Sequence, residues 1–258
     1  MPGSSPRLRA SEEKTRPSFF WLLAATAAPL VGLIAKLEIE GGEKLPREGA
    51  YVLAPNHYSE FDPLVVALAT WKIGRAPRFM AKESLFRIPV LGWVLRKTGM
   101  VPVARTSSRA SAQQTLETAE TLVEHGRGLI VYPEGTLTRE PEMWPMRGKT
   151  GAVRLALEGG IPLIPVAHWG AQQILPRYGK LKLWPLRRRV RVIVGDPVDL
   201  SEYASQARTG QPAALAAATD RLMAEIAALL ATLRDEPAPA TRWNPSDHGQ
   251  KETGRLEP

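Results

Sequence analysis

"YVLAPNHYSEFDPLVVALATWKIG", residues 51–74, runs from a short apolar stretch through a polar turn into a second apolar stretch with helical character. Pro55 carries no N–H for a strand ladder and ends the first stretch. Asp62 and Pro63 suit the first turn of a helix. His57 therefore falls in a strand-to-helix loop, five residues before Asp62.

The same order recurs along the chain. Upstream, "EIEGGEKLPREGAYVLAPNH" predicts two short strands around a Gly/Pro turn. Downstream, strands are expected at 78–82, at 100–105 and from Gly128, with a helical stretch interrupted near Pro89 between the first two. "SSRASAQQTLETAETLVEHG" predicts a helix with Leu116, Ala119, Leu122 and Val123 on one face, ending at Gly126. A short helix closed by glycines follows at 148–160, then "IPLIPVAHWG", a strand weakened by two prolines. "RRVRVIVGDPV" alternates charged and branched residues, as a partly exposed strand does. Leu222, Met223, Ile226, Leu229 and Leu230 mark a last amphipathic helix over about 212–232. The expectation is an α/β fold: a mixed, largely parallel sheet flanked by helices, with an N-terminal apolar helix. Ligand crevices in such sheets lie beyond the strand ends. The polar loops at 55–62 and 133–139 would lie at such ends.

The chain divides into a basic flexible arm (1–18), an apolar membrane-associating helix (19–36), the main domain (37–233) and a flexible tail (234–258). Its 258 residues can bury one large core. No cysteine is present, which excludes a disulfide scaffold, a thiolate nucleophile and cysteine-ligated metals and is compatible with a reducing cytoplasm. The formal charge of +8 favours an anionic partner or simply a solvated basic face. Residues 19–35 form an uncharged run of 17, following basic residues. As a helix it would measure roughly 25 Å, less than the ~30 Å of bilayer hydrocarbon, with Pro29 in its middle. It can lie in the interface of an anionic membrane or pack on the domain.

If the loop curls over the helix start, Asp62 can hold one ring nitrogen of His57, fix its tautomer and stabilise the protonated ring. That suits proton abstraction from an alcohol, with the substrate hydroxyl as nucleophile. The alternative is that Asp62 caps the helix and His57 satisfies a local backbone group. "RGKTG" (147–151) fails as a phosphate loop because Met143 stands where its first glycine belongs. No dinucleotide fingerprint or histidine–glutamate zinc motif occurs. His125 reads as a helix-end residue, His168 as packing or positioning, and the scattered tryptophans as core or interface anchors rather than a nucleic-acid platform.

"NHYSEFD" resembles the hallmark of the glycerolipid (1-acyl-sn-glycerol-3-phosphate) acyltransferase family: asparagine, histidine, four residues, aspartate. "FMAKESLFRIPVLGWVLRKTGMVPVAR", "VYPEGTLTR" and "IPLIPVAHWG" resemble its second, third and fourth blocks in order, over roughly residues 50–170. The resemblance implies a fatty acyl transfer from acyl-CoA or acyl carrier protein to lysophosphatidic acid, giving phosphatidic acid. Neither metal nor cofactor is implied, and no nucleic acid. His57 is then the general base and Asp62 its orienting partner. Arg105 matches the second block's arginine, and Glu134, Gly135 and Thr136 match the glutamate-glycine-threonine element of the acceptor and phosphate site. Leu137 stands where the pattern continues with arginine. Phosphate binding therefore passes to Arg139, Arg105, Arg147 or Lys149, or the acceptor is another lysophospholipid or a phosphorylated glycolipid. For Glu134 a substrate contact is expected, against a buried salt bridge that shapes the loop. Backbone amides near 55–58 or in the second block are candidate oxyanion donors. The non-enzyme alternative is a membrane-binding protein without catalysis. The expected location is the cytoplasmic face of the cell membrane, peripheral or N-terminally anchored.

Overall fold

The computed structural model describes residues 18–103, 108–208 and 211–251. Helix α1 (Phe19–Ile34) passes directly into strand β1 (Ala35–Glu40). Then come β2 (Tyr51–Pro55), α2 (Asp62–Ile73), β3 (Met80–Lys82), a 3-10 turn (Glu83–Arg87) and α3 (Pro89–Lys97). Strand β4 (Val101–Val103), α4 (Ser108–Glu124), β5 (Gly128–Ile130), α5 (Gly151–Gly159) and β6 (Leu163–Trp169) follow. The chain continues through β7 (Arg188–Val194), α6 (Ser201–Arg208) and α7 (Pro212–Arg234).

Five strands form the main sheet in the order β1-β7-β6-β2-β5, and β3 pairs with β4 apart from it. Strands β6, β2 and β5 run parallel, as do β1 and β7, while β6 and β7 are antiparallel. The sheet is thus mixed and mostly parallel, with one reversal. Every residue of β2 is buried because helices cover both faces. Val52 and Ala54 join the core made with α4, α5 and α7, whereas Tyr51 and Leu53 join the one made with α1 and α2. This is the period-two division of a central strand.

Local chemistry explains most boundaries. Pro63 opens α2, and Gly74, with φ of 117°, ends it by returning its N–H to the Thr70 and Trp71 carbonyls. Pro89 starts α3 after the 3-10 turn, the interruption expected there. Pro165 lies inside β6 without breaking its ladder. The pairing with β2 runs through it; on the β7 side its carbonyl accepts from Gly195 N–H, and the reciprocal bond would need the N–H that proline lacks, so the antiparallel pairing stops at Val166.

Two expectations need revision, and one element was not expected. On α4, Ala119 and Leu122 are buried with Thr118, whereas Leu116 and Val123 are exposed. Strand β5 is the last of the main sheet, and over residues 113–124 α4 buries only a narrow stripe. Helix α6 has no counterpart in the sequence reading. Residues 235–251, expected as a flexible tail, lie against the body: Arg242 pairs with Asp220 on α7, the Trp243 carbonyl accepts from Arg147, and Trp243 stacks on His248.

Candidate active site

Strands β2 and β5 are parallel neighbours, so the loops leaving their C-terminal ends lie side by side. Two backbone links join them: Thr138 N–H donates to the His57 carbonyl at 2.6 Å, and His57 N–H donates to Glu134 Oε1 at 2.9 Å. Within the first loop, Asp62 is fully buried and its Oδ2 accepts from three donors. These are His57 Nδ1 at 3.0 Å, Tyr58 N–H at 2.7 Å and Ser59 N–H at 2.8 Å. Ser59 Oγ in turn accepts from Phe61 N–H, which tightens the turn into α2. Asp62 sits in the first helical turn, where the helix dipole favours its negative charge. The aspartate therefore shapes the loop and orients the ring in one arrangement.

With Nδ1 donating to Asp62, Nε2 keeps the lone pair. No described residue hydrogen-bonds Nε2, and the side chain stays 16 % exposed. The opposing ring is Tyr132, just after β5, with centroids 4.1 Å apart and planes at 24°. Its hydroxyl is buried without a hydrogen-bond partner among the described residues, and burial pushes the phenol well above its ordinary range. An aromatic wall thus fixes the plane of the imidazole.

Behind this pair lies a second layer. Asn56 donates to the His168 carbonyl at 3.1 Å and accepts from His168 N–H at 2.9 Å, tying the end of β2 to β6. His168 is fully buried, and desolvation holds its pKa below the ordinary value. Its Nε2–H meets the Asn56 carbonyl, so Nδ1 accepts from Tyr58 Oη. That neutral ring stands 3.8 Å from the second oxygen of Asp62 without giving it a proton. His168 is therefore a packing and positioning residue.

Glu134 is buried and its Oε2 accepts from Met146 N–H at 3.1 Å. Burial raises its pKa from 4.5 to about 8, against the opposing effect of those backbone donors. Its Oε1 joins the two loops through the His57 amide and its Oε2 holds the Met146 amide, with no salt bridge to Glu134 among the described residues. Gly135 takes φ of +70°, and a methyl group there would press on the Lys149 side chain at 3.1–3.3 Å. Lys149 N–H donates to the Pro133 carbonyl at 2.7 Å. Arg147 and Lys149 join Glu134 in lining a cavity of about 240 Å³. Thr136 is half-buried beside it in sequence, and Arg105 lies outside the described residues. Leu137 and Arg139 are both buried, so Arg139 lies beneath the loop surface while Arg147 and Lys149 are exposed.

The expectation of oxyanion donors at 55–58 fails. Asn56 N–H donates to Val166, His57 N–H to Glu134 and Tyr58 N–H to Asp62, and Pro55 has none. Sequence reasoning also missed Tyr132, whose ring contact arises only when β2 and β5 pair, and Arg177. The Arg177 guanidinium donates to the Thr138 and Glu140 carbonyls and braces the second loop.

Both the sequence and the fold are similar to those of known proteins. The chloroplastic 1-acyl-sn-glycerol-3-phosphate acyltransferase of Brassica napus is 29 % identical over 163 residues, covering 63 % of this chain and 45 % of that protein. A 1-acyl-sn-glycerol-3-phosphate acyltransferase of Bacillus subtilis is 28 % identical over 199 residues, covering 76 % of this chain and 91 % of that one. The chain spans about half the length of the plant and algal relatives it matches. Among solved structures, the 1-acyl-sn-glycerophosphate acyltransferase PlsC of Thermotoga maritima shares the fold, with a TM-score of 0.56, 22 % identity, and coverage of 81 % of this chain and 74 % of that one. The profile of the acyltransferase family matches residues 36–169, just over half of the chain and including the loops at 55–62 and 133–139, and the chain belongs to that family.

Proposed function

We propose that the chain transfers a fatty acyl group from acyl-CoA or acyl carrier protein to the free hydroxyl of 1-acyl-sn-glycerol-3-phosphate, forming phosphatidic acid. The observation that carries this reading is the His57–Asp62 pair: Nδ1 held by a buried carboxylate, Nε2 without a partner among the described residues. Nε2 takes the hydroxyl proton as the oxygen attacks the thioester carbonyl. The tetrahedral intermediate collapses, the C–S bond breaks, and the imidazolium returns the proton to the departing thiolate. Asp62 stabilises the charged ring between the two steps. The balance closes on an ester and a thiol, with no metal or cofactor in it.

Arg147 and Lys149, exposed at the cavity beside Glu134, are the cations we assign to the acceptor phosphate, with Gly135 allowing close backbone approach. Arg105 is assigned on its motif position, and Thr136 and Arg139 to shaping the same loop. Glu134 holds that loop against His57. A second acceptor, another lysophospholipid or a phosphorylated glycolipid, is favoured by one observation: buried Leu137 occupies the position of the expected arginine.

The reaction belongs, in this reading, at the cytoplasmic face of an anionic membrane. Helix α1 carries no charge and exposes Trp21, Leu22, Leu30 and Leu33. Its 16 residues measure about 24 Å, and no helix among the described residues is long and apolar enough to cross a membrane. An interfacial position suits these dimensions.

The test is mass spectrometry of products formed by the purified protein from an acyl thioester and a panel of phosphate-bearing lysolipids. Phosphatidic acid from lysophosphatidic acid supports the leading reading. Product from another lysolipid alone keeps the reaction and replaces the acceptor, and no product from folded protein with either thioester counts against acyl transfer.

A further inference from the structure

We propose that residues 179–187, "GKLKLWPLR", form a second docking element for an anionic phospholipid bilayer, at the rim of the catalytic end of the sheet. The inference rests on the membrane partner proposed above and adds an element that the N-terminal helix does not supply.

All seven residues from Leu181 to Arg187 are exposed. Four of them, Leu181, Leu183, Trp184 and Leu186, are large and apolar, and Trp184 is 80 % exposed. A soluble surface does not ordinarily present such a run. Nor is the segment a loose tail. Lys182 N–H donates to the Ile174 carbonyl at 2.7 Å, Arg187 N–H donates to the Leu33 carbonyl at 3.1 Å, and the Arg188 guanidinium donates to the Gln173, Trp184 and Pro185 carbonyls. The backbone is held while its apolar side chains stand outward.

Charge selects the partner. Lys180, Lys182 and Arg187 are exposed, interleave with the apolar residues, and make no ion pair among the described residues. Apolar side chains that enter the acyl boundary and cations that remain among anionic headgroups match a lipid surface. A second copy of the chain fits poorly, because a two-fold interface would set these cations against one another.

Topology decides what docking would achieve. Strands β1 and β7 run opposite to β6, β2 and β5, so the end of α1 and the start of β7 reach the same end of the sheet as the His57 loop. The chain leading into the segment touches that loop: Ser59 Oγ donates to the Leu175 carbonyl, and Tyr178 N–H donates to Glu60. The segment's far end meets α1 through Leu33. Two apolar elements joined at one rim would set the His57 end of the sheet toward the bilayer, where a lysolipid resides.

The test uses the full chain in flotation with phosphatidylcholine vesicles, with and without phosphatidylglycerol. Leu183→Ser combined with Trp184→Ser should weaken vesicle binding about tenfold. Lys180→Glu combined with Lys182→Glu should remove about tenfold of the preference for phosphatidylglycerol vesicles. Both should keep wild-type melting temperature and acyl transfer to a detergent-dispersed acceptor. In a second measurement, Trp184→Phe should lose part of the tryptophan quenching caused by brominated acyl chains. Segment variants that float like wild type, while Leu22→Ser with Leu30→Ser does not, would overturn this inference and leave α1 as the anchor. Wild-type protein that does not float would overturn both, and a segment-dependent dimer in sedimentation would replace the bilayer with a second copy.

Discussion

Asp62 Oδ2 receives three donors, two of them backbone amides of the loop that carries His57, so ring orientation and loop shape depend on one oxygen. Asp62→Asn should therefore lower acyl transfer on the order of 10²-fold or more and also destabilise the loop; the check is kcat alongside thermal unfolding. Glu134 supplies a pH signature. Its unfolded carboxyl loses its proton near 4.5, whereas the folded one keeps it to about 8. In that window the folded state binds more protons, so this group's contribution to stability falls as pH rises and levels off above 8. Glu134→Gln should flatten the dependence, as urea unfolding at pH 5 to 9 will show; an unchanged slope would count against the burial effect. His57 and Asp62 were legible in the sequence because they share one short loop whose strand and helix are marked by Pro55 and Pro63. The roles of Glu134 and Tyr132 were not, since each depends on a loop from 77 or 75 residues further along.

At the scale of elements, the pairing of β2 with its neighbours creates the site. Asn56 and His168 exchange two hydrogen bonds in a buried position that no strand ladder could satisfy, since β2 ends one residue earlier. Asn56→Ala should cost about 2–4 kcal/mol by leaving both His168 backbone groups unsatisfied, measured by chemical denaturation. Stability equal to wild type would remove Asn56 from this account. Element bounds followed local chemistry closely for α2, α5 and α7, whose starts and ends carry proline, glycine or an apolar period. The buried face of α4 did not, because the width of a stripe depends on how far the sheet extends beneath it. Strand order was also illegible: β1 pairs with β7 across some 150 residues of sequence, and no local pattern records that.

Across the whole molecule, the C-terminal end of α1 and the exposed apolar segment before β7 reach the end of the sheet that carries His57. Reversal of β1 and β7 against the other three strands brings the C-terminal end of α1 to the end of the sheet that carries His57. Removing residues 1–34 should shift the protein from lipid vesicles toward solution, with flotation as the measure; unchanged partitioning would count against α1 as an anchor. The net basic charge was legible, but its distribution was not, since the fold decides which cations are exposed. The central claim is that His57 is the base for acyl transfer to a hydroxyl. The most direct measurement compares wild-type and His57→Ala protein, matched in melting temperature, for acyl transfer from a thioester to lysophosphatidic acid. The account predicts a loss on the order of 10²–10⁴-fold in kcat with acceptor KM little changed, and turnover near wild type in the folded variant would contradict it.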